Sequence, residues 1–230
     1  TGTTTVTAVQ DALDEVNETV ILDITGVTNG TENGTQQETI TIIDDDDPPT
    51  VTLSVSSASI VEAAGISTVT ATLSAVSSQN VTVALTATGT ATDQQILGGG
   101  TDYTLASSTI TINAGVTTGT TTVTAVQDAL DEVNEMVILD ITGVTNATEN
   151  GTQQETITIT DDDDPPTVTL SVSAASIVED AGVSTVIATL SAASSKNVTV
   201  TLTATGTATR GVDYTFSSNL ISITPGQTSS

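Results

Sequence analysis

The chain has no cysteine, no histidine and no tryptophan, one methionine and three aromatic residues, and only two of its 230 residues are basic. Without cysteine it can form neither a disulfide framework nor a thiolate zinc site. Without imidazole it lacks the usual group for proton transfer near neutrality and the commonest transition-metal ligand. Lys196 and Arg210, the two cations, stand against 28 carboxylates and leave a formal charge of −26. Such a charge repels nucleic acid and anionic membrane surfaces, so neither is an expected partner. Most enzyme classes are excluded on the same counts, and the chain reads as a non-enzyme. No apolar run is long enough to cross a bilayer, and residues 1–30 carry no charged-then-apolar leader pattern. With so few aromatic residues the core must be aliphatic and thin, which suits several small domains better than one large one.

What the chain does contain argues against disorder. Apolar residues make up 37% of it and mean hydropathy is +0.16, too high for a chain kept unfolded by charge. Threonine accounts for 52 positions, and with Val and Ile this composition favours strands.

The sequence repeats. TGTTTVTAVQDALDEVNE begins at Thr1 and again at Thr118, and residues 1–50 match 118–167 except at Thr19/Met136, Gly30/Ala147 and Ile43/Thr160. The same offset of 117 relates Glu62 to Glu179 and Asn80 to Asn197, then falls to 111 where DQQILGGGTDY at 93–103 is shortened to RGVDY at 210–214. DDDDPP at 44–49 and 161–166 punctuates the repeat, since paired prolines cannot continue a central strand. Residues 48–164 therefore read as one complete repeat, 1–47 as the C-terminal part of a preceding repeat and 165–230 as the N-terminal part of the next.

Period-2 patterning bounded by Gly, Ser, Asn and Asp predicts strands at 50–61 (with a break), 66–73, 80–88, 108–113, 119–127, 135–143 and 152–160. No segment has helical periodicity. Seven short strands in about 115 residues describe an all-β fold of tandem seven-stranded immunoglobulin-like antiparallel β-sandwiches.

Alternating strand direction gathers the connections after the first, third and fifth strands, and the end of the seventh, at one pole. Residues 48–164 hold 14 carboxylates and no basic residue, and 11 of the 14 fall at that pole: Glu62, Asp93, Asp102, Asp128, Asp131, Glu132, Glu135 and Asp161 to Asp164. Crowded like charges repel by roughly 1–4 kcal/mol per close pair at surface-like dielectric constants. They must protonate, splay or bind cations. Many hard oxygen donors without nitrogen or sulfur suit calcium, and they suit magnesium less because of its small octahedral shell. DALDEVNE lacks the EF-hand spacing, so any site is assembled from separate loops.

A V-E-x-A-G turn, GTAT followed by a D-Y pair, TAVQDALDEVNE before an apolar strand, and TITI running into DDDD, in this order, resemble the Calx-beta domain over 48–164 and both flanking parts. The resemblance implies a calcium-binding sandwich of the kind found in sodium–calcium exchangers and, as arrays, in large surface and adhesion proteins. It assigns calcium ligands to Glu62, Asp102, Asp128, Glu132, Glu135, Asp161, Asp162 and Asp163. In the flanking parts it assigns Asp11, Glu15, Glu18, Asp44, Asp45 and Asp46, then Glu179 and Asp213. The inserted loop before Asp102 departs from the family's pattern, whereas Asp213 follows the shorter loop. The functional expectation is a structural segment of an extracellular fibre or cell-surface adhesin, with calcium rigidifying the inter-domain junctions. Its partners are adjacent repeats or neighbouring copies, and membrane insertion is not expected. Alternatives are a calcium-sensing regulatory domain and a self-assembling subunit completed by neighbouring chains.

Other features carry simpler readings. Tyr103 and Tyr214 are expected to cap the core with buried rings. Asp128 and Glu132 could mimic a glycosidase carboxylate pair, but no aromatic sugar platform accompanies them. Gly98 to Gly100 are followed by no lysine and no helix, so they are not a phosphate loop. The Asn-x-Thr matches at Asn17, Asn29, Asn33, Asn80, Asn146, Asn150 and Asn197 are expected by chance in so threonine-rich a chain. Lys196 has Gln79 at the equivalent position, so covalent stapling through this lysine is not a general device of the repeat.

Overall fold

The alternation of apolar and polar residues between 50 and 160 is converted into two face-to-face sheets. In the computed structural model, which describes residues 1–93 and 101–229, this region holds β3 (Thr50–Val55), β4 (Ser59–Val61), β5 (Ile66–Leu73), β6 (Val81–Gly89), β7 (Tyr103–Leu105), β8 (Thr109–Ile112), β9 (Thr118–Ala125), β10 (Glu135–Thr145), β11 (Thr148–Glu149) and β12 (Gln154–Thr160). One sheet has the order β4-β12-β10-β6-β8 and the other β11-β3-β5-β9-β7. Along β5, Ser67, Val69, Ala71 and Leu73 point inward while Thr68, Thr70 and Thr72 face out, the strict period of a half-buried strand. Val51, Val69, Val83, Val123, Val137, Leu139 and Ile157 are completely buried between the sheets. The core is aliphatic apart from Tyr103.

The predicted strand 50–61 divides between the sheets. β3 pairs with β5 antiparallel, whereas β4 crosses over and pairs with β12 in parallel, Ser59 opposite Thr158. Two elements escaped the pattern because three residues or fewer cannot display a period: β7 and β11. Gly98 to Gly100 lie outside the described residues.

The parallel pairing of β4 and β12 brings two distant carboxylate segments together. The turn after β4 closes through a Gly65 N–H bond to the Val61 carbonyl at 3.0 Å, and the Glu62 N–H bonds to the Thr160 carbonyl at 3.0 Å. A Cβ at Gly65 would stand 2.4 Å from the Val61 carbonyl oxygen, so only glycine fits, and Ala64 beside it takes φ +57°.

The flanking parts are hairpins. β1 (Glu18–Asp23) pairs with β2 (Gln37–Ile42) in the register that β10 and β12 use, Glu18 opposite Ile42 as Glu135 is opposite Ile159. After the sandwich, β13 (Val168–Val172) pairs with β14 (Val186–Leu190) and β15 (Val198–Thr201) with β16 (Leu220–Ile223), around a small cluster of Ala188, Leu190 and Ile223. Their apolar faces are largely uncovered. Leu139 is fully buried while its repeat equivalent Leu22 is 41% exposed, and Val51 is fully buried while Val168 is 40% exposed. Tyr214 departs from the expectation for the same reason: it is half-buried and packs edge-on against Phe216, centroids 5.6 Å apart, instead of entering a core as Tyr103 does.

Candidate metal centre

Four segments converge at the pole where β12 ends. Glu62 comes from the turn after β4, Asp102 from the approach to β7, Asp128 to Glu135 from the loop between β9 and β10, and Asp161 to Asp163 from the extended exit of β12. Two groups of carboxylates form: Glu62, Asp128 and Asp163, and Asp102, Glu132 and Glu135, each offering oxygens within 4.8 Å of one another. Asp161 lines the space beside Glu62, Asp102, Glu132 and Glu135.

Local hydrogen bonds hold these carboxylates in place. A Glu62 Oε1 accepts the Asp128 N–H at 2.9 Å, tying the two turns together. Asp128 Oδ1 accepts the Leu130 N–H at 2.7 Å, an Asx-type turn that reverses the loop. Asn134 Oδ1 accepts the Asp161 N–H at 3.3 Å and anchors the acidic run to the same loop. Because that run is extended, its side chains alternate. Asp161 and Asp163 are half-buried and turned inward, while Asp162 and Asp164 are exposed. Asp162, assigned as a ligand through the resemblance, thus belongs to neither group. Asp102, despite the insertion before it, does.

Around Glu62, Glu132, Glu135 and Asp163 the electrostatics are those of crowded like charges. Desolvation, then the charges of Asp128 and Asp102, push Glu132 up to about 7. Desolvation and a hydrogen bond shared with Asp102 push Glu135 up to about 8. Glu62 and Asp163 are also raised, by desolvation first and by neighbouring carboxylates next. Three oxygens in the cluster, Glu135 Oε2, Asp161 Oδ1 and Asp163 Oδ2, are buried without any hydrogen-bond partner. A buried, unpartnered carboxylate oxygen is costly unless a cation or proton meets it.

The N-terminal copy repeats the local devices. Asp11 Oδ1 accepts the Leu13 N–H at 2.9 Å and Asn17 Oδ1 accepts the Asp44 N–H at 3.1 Å, matching Asp128 and Asn134. Asp11, Glu15, Glu18, Asp44, Asp45 and Asp46 line an open cleft of about 160 Å³. Glu15 and Asp46 are raised by desolvation and then by their acidic neighbours. These six do not close into a three-carboxylate group among the described residues, because 1–47 contains no counterpart of Glu62 or Asp102. Glu179 and Asp213 are exposed and belong to no three-carboxylate group among the described residues. Asp213 Oδ2 instead accepts the Thr209 N–H at 2.7 Å.

One acidic residue of the loop points elsewhere. Asp131 is 5% exposed and buried against the following repeat, where its Oδ2 accepts the Ser194 hydroxyl at 2.7 Å and its Oδ1 lies 2.6 Å from Lys196 Nζ. The hydrogen bonds from Lys196 and Ser194 hold its pKa below the ordinary carboxylate value. Asp14, the equivalent residue, is likewise buried, and its Oδ2 accepts the Ser77 hydroxyl at 3.0 Å. Sequence reasoning placed Asp131 at the acidic pole but missed this contact. The signal available was a separation of 63 residues between Asp14 and Ser77 that recurs between Asp131 and Ser194.

The Calx-beta domain model matches residues 44–163 and 161–230. The chain belongs to the Calx-beta domain family. Calx-beta domains are calcium-binding, regulatory or binding modules, and this chain carries them in tandem. Residues 1–43 lie outside both matches, but they repeat 118–160 at all but three positions. Similar solved structures include an apo-form Calx CBD1 domain, 16% identical with TM-score 0.39, covering 50% of this chain and 99% of that one. A CBD12 structure from CALX1.2 is 18% identical with TM-score 0.39 and covers 75% of this chain and 69% of that one. No curated protein sequence matches the chain. The donor set fits the family's cation: it is all oxygen and anionic, and it contains three buried oxygens that lack a partner.

Proposed function

We propose that the chain is a structural calcium-binding repeat segment of an extracellular or cell-surface fibre, in which charge neutralisation at the acidic poles stiffens the junctions between successive sandwiches. The observation that carries this reading is the set of three unpartnered buried oxygens on Glu135, Asp161 and Asp163, at the point where one sandwich hands the chain to the next. Calcium, when bound, supplies two positive charges per ion and accepts about 6–8 oxygen donors in a flexible shell. Glu62, Asp128 and Asp163 would hold one such ion, and Asp102, Glu132, Glu135 and Asp161 another. Asp161 and Asp163 belong to the acidic run that leads into Pro165 and Pro166, so fixing these side chains limits the directions in which the following repeat leaves the pole.

The uncovered faces of β1, β2 and β13 support adjacent repeats or neighbouring copies as partners, because Leu22 and Val168 occupy positions that are fully buried in the complete sandwich. Small-angle scattering of the metal-free chain, before and after calcium, tests the rod. Calcium should give a longer and better-defined maximum dimension. An unchanged dimension would contradict it.

A further inference from the structure

We infer that Lys196 is a built-in countercharge that locks the junction between the sandwich and the following repeat without any added cation, whereas the preceding junction, which has Gln79 at that position, lacks such a lock. Both junctions use one docking device. In each, an aspartate of the loop between the strand pairs inserts against a Ser-Ser step of the next repeat. The Ser78 N–H donates to the Asp14 carbonyl at 3.1 Å, and the Ser195 N–H donates to the Asp131 carbonyl at 3.0 Å. The receiving serine is fixed by its own repeat, since the Ser77 carbonyl accepts the Gly115 N–H at 3.0 Å and the Ser194 carbonyl accepts the Gly226 N–H at 2.9 Å. Asp14 and Asp131 are 8% and 5% exposed, so each junction buries a carboxylate.

The junctions differ in what faces that carboxylate. In the second, Lys196 Nζ lies 2.6 Å from Asp131 Oδ1 and 3.6 Å from Asp161 Oδ2. The lysine thus joins the docking aspartate to the first residue of the acidic run. An ordinary surface ion pair would contribute little, but here one partner is buried and also bonded to a hydroxyl, the setting in which loss of the countercharge is costly. In the first junction Asp14 keeps the serine hydroxyl, while the position equivalent to Lys196 holds the neutral Gln79. Two junctions of nearly identical sequence therefore differ in stiffness when divalent cations are scarce. Only the contrast in calcium dependence rests on the calcium reading; the role of Lys196 in chelator does not.

The absence of native cysteine allows paired labels to be introduced at will on exposed strand positions of the full chain. One pair spans β1 and the sandwich, and a second spans the sandwich and β15. Distance distributions measured by double electron–electron resonance in excess chelator should be narrower across the second junction than across the first. Lys196→Gln should broaden the second to the width of the first, and Gln79→Lys should narrow the first. An unchanged width across the second junction in Lys196→Gln would overturn the inference. Subsequent calcium addition examines the other reading separately: failure of calcium to narrow the first junction would count against calcium stiffening and leave the chelator result standing.

Discussion

Glu62 accepts the backbone N–H of Asp128 at 2.9 Å, so the turn after β4 and the loop after β9 are joined by one of the carboxylates assigned to the candidate metal centre. The same side chain thus positions a loop and offers an oxygen to the group formed with Asp128 and Asp163. Glu62→Gln keeps a carbonyl acceptor for that N–H and removes the charge. It is expected to weaken calcium binding by about tenfold or more, ~1.4 kcal/mol, with thermal stability in chelator unchanged or raised. Calorimetric titration beside thermal unfolding checks both parts, and Glu62→Ala should lose stability as well as affinity.

The glycine of the same turn is a steric requirement. Gly65→Ala drives a Cβ into the Val61 carbonyl, and relief requires the turn to open, at a cost of about 1–3 kcal/mol. Ala64→Gly relaxes a left-handed alanine and is expected to be neutral or stabilising by up to about 1 kcal/mol. Urea unfolding of the two variants should therefore shift in opposite directions, or only Gly65→Ala should shift.

The pH dependence follows from Glu132 and Glu135. Both retain their protons more strongly in the folded chain than the ordinary value of 4.5 allows, up to about 7 and about 8. Over that window the folded state binds more protons than the unfolded one, so stability falls as pH rises. In chelator the melting temperature should decline from near pH 5 towards pH 8, the interval between the ordinary carboxylate value and the two raised ones. Saturating calcium should abolish the decline, since the ionised carboxylates then have a partner. A melting temperature that rises across this interval in chelator would contradict the assignment. Asp131, whose pKa is lowered, acts only at more acidic pH, where protonation removes its contribution.

Leu139 and Leu22 are the same residue of the repeat in two environments, one buried and one 41% exposed. Leu139→Ala should cost about 2–5 kcal/mol, and Leu22→Ala less than about 0.5 kcal/mol in dilute solution. A cost for Leu22→Ala that grows with protein concentration would show that neighbouring copies cover the β1–β2 face.

Much of this architecture is legible in the sequence because its signals are periodic. Strict alternation on β5, β10 and β12 and the 117-residue repeat are visible without coordinates. Strand direction then places Glu62, Asp128 and Asp161 at one pole. Two kinds of information were not legible. The division of the pole into two carboxylate groups depends on which oxygens face inward, and this separates Asp161 and Asp163 from Asp162 by the turn of an extended backbone. The docking of Asp131 on Ser194 joins residues of different repeats, and neither stands out in a chain so rich in acidic and hydroxyl side chains. The crossing of β4 to the second sheet was signalled only by the break within 50–61, yet it carries Glu62 to the end of β12.

Isothermal titration of calcium into the metal-free chain near neutral pH, in two buffers of different ionisation enthalpy, decides whether the acidic pole holds calcium. Saturable binding tighter than about 1 mM is expected, with heats that differ between buffers because Glu132 and Glu135 release protons as calcium is taken up. Absence of saturable heat at millimolar calcium, in both buffers, would contradict it.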